Sequence, residues 1–297
     1  PVMRLVTDSP PQELLAPRWW MSKNDFVTYV QKQMRRRGWR QGDRLAEPAA
    51  PENGRQATPG ATPAKNSSVR AHDARKRTQA AILAAIGADR ESAGERQVLD
   101  LGFGFGYTPL LAAGRAEAGN ETWRIHCCAR SPAEVLDNPP ADRAYRECID
   151  DLLASRCVRL GHVEITLEFA DCRAAVQRAT SHFDAIIVET SKVEQAVELC
   201  TVEFCRRLAG LLKPGGRIVS PLSSNLFRAA LALNGLVLGR TASRDLRRGG
   251  TVAAHDRRDV PRGLPPRDAA CLSDPAACRP YRDPTFAASP KSILTSR

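Results

Sequence analysis

The chain has 297 residues, of which 42% are hydrophobic, so it can form one α/β domain of ordinary size with extensions. The sequence contains no apolar run long enough to span a membrane and no secretory signal, so we expect a soluble, cytoplasmic protein. The net charge of +11 favours a polyanionic partner, above all a nucleic acid, over a merely solvated basic surface.

Cysteine usage argues against two further classes of protein. The chain has nine cysteines, an odd number, and none of them form a Cys-x-x-Cys pair. The sequence therefore predicts neither a disulfide framework nor a metal site. Reduced and mostly buried thiols are expected instead.

The first part of the chain divides by composition. Residues 1–45 form a basic extension in which arginines surround Trp39, a combination that can hold phosphates and stack on bases. A solvated helix face whose Trp packs on the core would explain it equally well. Residues 46–68 are rich in Pro, Ala, Gly and Asn and are predicted to be a disordered linker. We expect the catalytic domain at 69–255, beginning with a helix that ends at Gly87.

The segment Val98–Gly106 predicts a buried strand, a glycine loop and the start of a helix. Its three alternate glycines are Gly102, Gly104 and Gly106. Lacking Cβ atoms, they let a ligand approach the backbone and the helix N-terminus. A dinucleotide fingerprint would need glycine where Tyr107 stands. Asp100 followed by alternating glycines is instead typical of S-adenosylmethionine (SAM) methyltransferases, where the loop approaches the methionyl part of the cofactor.

The second predicted strand, at 123–128, ends without an expected acid. Nucleotide-binding α/β folds place there a carboxylate that binds the ribose hydroxyls. This sequence has Cys128, Ala129 and Arg130 at that place, and Glu134 is the nearest acid. A ribose-binding acid is therefore missing from its usual position.

Acids follow the next two predicted strands. After a helix at 142–157, the strand at 162–169 leads to Asp171, which suits the exocyclic amine of adenine and equally an ordinary helix N-cap. The strand at 184–188 is apolar enough to be buried on both faces and leads to Glu189. Because the carboxyl ends of parallel strands form the ligand crevice, we expect Glu189 beside the transferable methyl group.

The last third of the domain predicts a fifth strand from Arg217 and two further strands at 235–239 and 250–254. A basic loop from Arg244 to Arg248 joins the last two, and residues 256–297 are predicted to be a Pro/Arg-rich extended tail. The expected fold is α/β and Rossmann-like, with a mostly parallel seven-stranded sheet and an antiparallel strand near its C-terminal end.

Six segments together resemble the MnmC-like methyltransferase family, over about residues 69 to 284. They are Asp-Leu-Gly-Phe-Gly-Phe-Gly-Tyr (100–107), Phe-Asp-Ala-Ile-Ile-Val-Glu (183–189), Glu-Leu-Cys-Thr-Val-Glu-Phe (198–204), Leu-Lys-Pro-Gly-Gly (212–216), Arg-Gly-Gly-Thr-Val-Ala (248–253) and Pro-Tyr-Arg-Asp-Pro (280–284). The family's best-known members use SAM to methylate an aminomethyl nitrogen on the wobble uridine of bacterial tRNA.

The resemblance implies roles for particular residues. Asp100, Gly102, Phe103, Gly104 and Gly106 match the cofactor loop. Asp171 matches the adenine-side acid, and Glu189 matches the acid at the acceptor amine, where the family usually has aspartate. Phe103, Phe105 and Tyr107 would make the pocket apolar. SAM is the implied cofactor and tRNA the implied partner, with no metal and no membrane.

The sequence also departs from the family pattern. The segment Thr190-Ser191-Lys192 replaces Phe-Ser-Pro, Cys200 replaces a Trp, and neither the Tyr-His-Ser segment nor an oxidase domain is found. Two alternatives therefore stay open beside the tRNA-modifying enzyme. One is a SAM methyltransferase of a small molecule or protein, and the other is a non-catalytic nucleic-acid-binding relative.

Overall fold

The structure is a computed structural model. It describes residues 80–86, 94–103, 107–119, 121–132, 135, 143–190, 193–241, 249–274 and 278–296. The chain divides into two units, 1–67 and 68–297, and every described residue belongs to the second. The predicted basic extension, the predicted linker and the basic loop Arg244 to Arg248 therefore lie outside the described residues.

The described residues form one eight-stranded sheet in the order β3-β4-β2-β1-β5-β6-β8-β7. The strands are β1 Arg96–Leu101, β2 Trp123–Ala129, β3 Cys157–Leu160, β4 Val163–Phe169, β5 Phe183–Val188, β6 Leu212–Ser220, β7 Val237–Arg240 and β8 Thr251–Ala254. Strands β4, β2, β1, β5 and β6 are parallel, and β8 runs antiparallel between β6 and β7. This arrangement confirms the predicted α/β, Rossmann-like class with an antiparallel strand near its C-terminal end.

The predicted number of seven strands is wrong, because the sheet has an additional strand at its edge. Strand β3 lies antiparallel to β4, with Leu160 opposite Val163, so only two residues make the turn between them. Gly161 supplies the positive φ of +56° that this tight turn needs. The sequence prediction extended the preceding helix to residue 157, whereas the helix ends at Ser155.

Helices cover both faces of the sheet, as two apolar clusters show. The named helices are α1 Tyr107–Gly119, α2 Arg143–Ser155, α3 Cys172–Arg178, α4 Val202–Gly210, α5 Asn225–Ala232, α6 Pro266–Leu272 and α7 Pro290–Leu294, and residues 80–85 are also helical. One cluster contains side chains of α3, α4 and α5, and the other contains those of α1 and α2. Adjacent residues of β5 point to opposite clusters, Ile186 to the first and Ile187 to the second. The central strands are thus buried on both faces, as their composition predicts.

The described residues after 255, which are 256–274 and 278–296, do not form the extended tail that the sequence predicted. They include α6 and α7, and Tyr281 and Ile293 belong to the apolar cluster under α4 and α5. Ile293 is fully buried, and the backbone of Tyr281 pairs with Thr201 in an isolated bridge. A few apolar anchors and a set of polar contacts fold this segment, although its composition is rich in Pro and Arg. Among the residues that the structure describes, no helix has both the length and the apolar character needed to cross a membrane.

Candidate cofactor and acceptor site

The register of the central strands brings three chain segments to one edge of the sheet. Leu101 at the end of β1 is aligned with Cys128 of β2 and with Val188 of β5. All three strands are parallel, so the residues that follow them meet at this carboxyl edge. Gly102 and Glu189 are therefore close neighbours, although the sequence separates them widely.

Gly102 lies directly against Glu189. A Cβ atom added at Gly102 would lie 2.9 Å from the backbone oxygen of Glu189 and 3.2 Å from its Cβ. The φ of Gly102 is +107°, a conformation that only glycine adopts readily. Two backbone bonds fix the contact, since Glu189 N–H donates to Leu101 O at 2.8 Å and Gly102 N–H donates to Cys128 O at 2.7 Å. Gly104 and Gly106 lie outside the described residues.

Thr108 holds the side chain of Glu189. It lies in the first turn of α1, is buried, and its hydroxyl donates to Glu189 Oε1 over 2.5 Å. The carboxylate is therefore directed towards the start of the helix that follows the glycine loop. Sequence reasoning missed Thr108. A hydroxyl residue in the first turn after the loop was the available signal, but such residues more often bond their own helix backbone.

Asp100 is a fully buried carboxyl group beside Glu189. Within the described part of the chain, neither carboxylate oxygen accepts a hydrogen bond of standard geometry. Burial, followed by the charge of Glu189, raises the pKa of Asp100 well above its ordinary value, and the backbone N–H of Phe103 opposes this rise. Two neighbouring carboxyl groups at a buried edge favour a cationic ligand, since a positive charge would stabilise both ionised forms.

Phe103 is packed differently from the prediction that its side chain borders the cofactor pocket. It has a φ of +59°, is 1% exposed and belongs to the apolar cluster that contains α1 and α2. The side chain is therefore part of the core, and only the backbone of this residue is left to line the loop. Phe105 and the side chain of Tyr107 lie outside what the structure describes.

Asp171 caps the helix that follows β4. Its Oδ1 accepts from the backbone N–H of Arg173 at 2.8 Å, which is the N-cap role that the sequence left open beside adenine binding. The guanidinium of Arg173 also contacts the carboxylate, 2.7 Å from Nη2 to Oδ2. This bond is the largest cause of a lowered pKa at Asp171, so the group stays ionised. Its side chain remains 45% exposed and can accept a further bond.

The end of β2 has no carboxylate, as the sequence indicates. Ala129 is fully buried, and the thiol of Cys128 faces Ala170 O at 3.6 Å. The next residue, Arg130, donates from Nη1 to Oε1 of the buried Glu198 at 3.0 Å. The segments after β2 and β5 are thus joined by an ion pair that the sequence did not predict. Glu134 lies outside the described residues.

A comparison with protein families identifies part of this chain. Residues 142–256 match the family described as S-adenosyl-L-methionine-dependent methyltransferase. This region contains the strands that lead to Asp171 and Glu189, and it ends after β8.

Comparison with solved structures gives similar folds at low identity. MnmC2 from Aquifex aeolicus superposes with a TM-score of 0.61 at 22% identity, covering 74% of this chain and 73% of that one. A probable spermidine synthase from Corynebacterium glutamicum has a TM-score of 0.40 at 16% identity, covering 61% and 62%. TrmN from Thermus thermophilus has a TM-score of 0.37 at 19% identity, covering 59% and 46%. A search among curated proteins gives no match.

Proposed function

We propose that this chain methylates an aminomethyl nitrogen on the wobble uridine of tRNA, since residues 142–256 match an S-adenosyl-L-methionine-dependent methyltransferase family. The family match confirms the resemblance that the sequence motifs predicted, and with it the enzyme class and SAM as the cosubstrate. The acceptor is the part that goes beyond the family. The contact between Gly102 and Glu189 carries the proposal, because it brings the cofactor loop and the acceptor-side acid together.

The residues at the carboxyl edge are chemically suited to SAM. Its methionyl part carries a sulfonium and an ammonium group, and the edge offers the buried carboxyl of Asp100 beside the charge of Glu189. A side chain at residue 102 would collide with the backbone of Glu189, so only glycine lets the cofactor loop pack directly against the acceptor-side acid. In the proposed site, Asp100 and Gly102 with Gly104 and Gly106 hold the methionyl part, and Asp171 accepts from the adenine amine.

The proposed role of Glu189 is to orient and deprotonate the acceptor. SAM supplies an electrophilic methyl group on sulfur. A neutral amine nitrogen forms the new bond to the methyl carbon as the bond from carbon to sulfur breaks, leaving a neutral thioether and a protonated nitrogen. Glu189 accepts a hydrogen bond from the amine before the transfer and takes its proton afterwards. Thr108 contributes to the orientation of this carboxylate. Most of the rate gain comes from holding the reacting atoms about 3 Å apart in line.

The proposed partner, tRNA, is supported by charge and by the motif set. A net charge of +11 provides the counterion release that drives binding to phosphates. A wobble base must leave the anticodon stack to enter a pocket, and arginines that hold the backbone assist this step. The basic residues at 1–45 and from Arg244 to Arg248 are the proposed phosphate contacts. A cytoplasmic location is part of the same proposal.

Methyl transfer to tRNA tests the proposal. The full chain is incubated with SAM labelled in its methyl group and with total tRNA, and the digested nucleosides are separated. We expect label on the wobble uridine, and about a thousandfold slower transfer for Glu189→Gln when SAM is saturating. Label on a protein or small molecule without RNA would identify a different acceptor. A chain that does not bind SAM would contradict the proposal that it is a methyltransferase.

A further inference from the structure

We infer that Asp283 is a positioning residue of the cofactor site, which fixes the carboxylate of Asp171 through Arg173. The inference rests on the proposed function, in which Asp171 accepts from the adenine amine of SAM. It extends the site to the C-terminal segment, defined as residues 278–296, which the sequence predicted to be an extended tail.

Arg173 connects two carboxylates on opposite sides of its guanidinium group. Nη2 lies 2.7 Å from Asp171 Oδ2, and Nε lies 3.2 Å from each oxygen of the same carboxylate. On the other side, Nη1 donates to Asp283 Oδ2 at 2.9 Å and to Ala288 O at 2.9 Å. The Arg173 side chain is only 13% exposed. Because the guanidinium is planar and rigid, holding one side fixes the direction of the other.

Asp283 is itself held by contacts that do not involve Arg173. Its side chain is 2% exposed, and Oδ1 accepts from the backbone N–H of Ala288 at 3.1 Å and from the hydroxyl of Thr285 at 3.2 Å. Its backbone N–H donates to Glu203 Oε2 at 2.7 Å, and Glu203 lies in the first turn of α4. Asp283 is therefore the fixed end of the arrangement.

The neighbouring residue adds a second connection to α4. Arg282 donates from Nε to Glu203 Oε1 at 2.7 Å, so one carboxylate binds two consecutive residues of the C-terminal segment. The backbone N–H of Val202 donates to Tyr281 O at 3.0 Å. The C-terminal segment is thus tied to the start of α4 at three consecutive residues, and through Arg173 to the start of α3.

Asp171 is the end that a ligand can reach, because its side chain is 45% exposed. The N-cap bond holds Oδ1 only, and the second oxygen depends on the guanidinium. A carboxylate that is already oriented loses less conformational entropy when it accepts from a ligand, and this raises affinity. Arg173 also lowers the pKa of Asp171, so the acceptor is ionised when a ligand arrives. Removing the charge of Asp283 would leave Ala288 O as the acceptor for Nη1 of Arg173, so the guanidinium and with it the second oxygen of Asp171 would be held less firmly.

The test measures SAM affinity of the full chain by calorimetry for wild type and Asp283→Asn. We expect the substitution to weaken SAM binding about tenfold, or about 1.4 kcal/mol. In an Asp171→Ala background the same substitution should leave the remaining affinity unchanged, because Arg173 then has no carboxylate at residue 171 to orient. A merely structural role would weaken binding in both backgrounds.

Asp268→Asn is the matched control, since it breaks a chemically equivalent pair elsewhere. Arg228 donates to Asp268 Oδ2 at 2.7 Å, connecting α5 to α6, and Arg228 is fully buried. We expect Asp268→Asn to lower the melting temperature and leave SAM affinity as in wild type. Equal losses of affinity for the two Asp→Asn variants would overturn the inference.

Further outcomes separate this inference from the proposed function. Wild-type affinity in Asp283→Asn overturns the inference alone, whereas a wild-type chain that does not bind SAM overturns both. If Asp283→Asn does not fold, Arg173→Lys replaces it in the measurement, because lysine keeps the charge but cannot contact both carboxylates in a fixed plane. A tenfold loss is again expected, and wild-type affinity for Arg173→Lys overturns the inference.

Discussion

The interior of the sheet and its carboxyl edge differ in how their residues satisfy local preferences. In the middle of β5, Ala185, Ile186 and Ile187 are at most 1% exposed and carry no polar side-chain atom. At the edge, Asp100 is a fully buried carboxyl group, Gly102 has a φ of +107° and Phe103 has a φ of +59°. The apolar interior is stabilised by its burial, whereas the buried carboxyl group and the unfavourable backbone conformations of the edge cost stability.

This difference indicates what each region contributes. Natural proteins concentrate unfavourable conformations and buried charges at functional sites, because ligand binding needs them. We therefore expect substitutions in the interior to lower stability without changing SAM affinity. Substitutions at the edge should change SAM affinity or turnover, and some should increase stability.

The largest expected effect on stability is in the interior. Leu208 of α4 is fully buried in the cluster that also contains Phe183, at the opposite end of β5 from Glu189. Leu208→Ala should lower the free energy of unfolding by about 3 kcal/mol through lost burial and a cavity. Denaturant unfolding measures this change, and calorimetry of the folded variant should give wild-type SAM affinity. A large loss of affinity would remove the distinction between the two regions.

Gly102→Ala should affect both quantities. The new Cβ would meet the backbone oxygen of Glu189 at 2.9 Å in a conformation that alanine avoids, costing about 2 kcal/mol of stability. The loop must shift to relieve the contact, so SAM affinity should fall about a hundredfold. Gly114→Ala is the control, because Gly114 lies in α1 with nothing within 4 Å of an added Cβ. It should gain stability by about 0.5 kcal/mol and bind SAM normally. Equal behaviour of the two alanine variants would contradict the account.

Asp100→Asn should increase stability and weaken SAM binding. The raised pKa of Asp100 means that the folded chain keeps this proton at pH values where the unfolded chain has lost it. Stability therefore falls as the pH rises from about 3.9, the unfolded value, through the folded pKa. Asparagine does not titrate, so the gain should reach about 1 kcal/mol at pH 8 and vanish near pH 4. Thermal unfolding across this range measures it. If the variant were less stable than wild type at pH 8, the buried carboxyl of Asp100 would not lower the free energy of unfolding.

Thr108→Val should have the smallest effect. The hydroxyl donates the hydrogen bond that orients the Glu189 carboxylate, and its loss removes about 1 kcal/mol of stabilising free energy. Methyl transfer should therefore slow about fivefold, with SAM affinity unchanged. Thr108→Ser keeps the hydroxyl and should retain most of the activity. Single-turnover transfer measures both variants. If the serine and valine variants were equally slow, the hydrogen bond would not be the cause.

The sequence predicts the interior well because its signals are local. Apolar runs define β1, β2, β4 and β5, and the glycine loop defines the start of α1. Parallel strands bring their carboxyl ends together, so the neighbourhood of Gly102 and Glu189 could be reasoned out before the structure. Strand β3 was missed because it has only four residues and the first of them, Cys157, was assigned to the preceding helix.

The contacts that complete the site are harder to predict because they join distant residues. Arg173 and Asp283 are 110 positions apart, and charge complementarity alone does not select one partner among the acids of the chain. The C-terminal segment was taken for a tail because its composition is rich in Pro and Arg, yet buried Tyr281 and Ile293 fix it to the core. The hydroxyl of Thr108 was overlooked for the same reason, since its partner Glu189 lies 81 residues further along the chain.

A crystal structure of the full chain with S-adenosylhomocysteine tests the central claim most directly. The account predicts that the sulfur lies over Gly102 on the side that faces the Glu189 carboxylate, with space between them for a methyl group and an amine. A product bound elsewhere on the sheet, or with its sulfur turned away from Glu189, would contradict it.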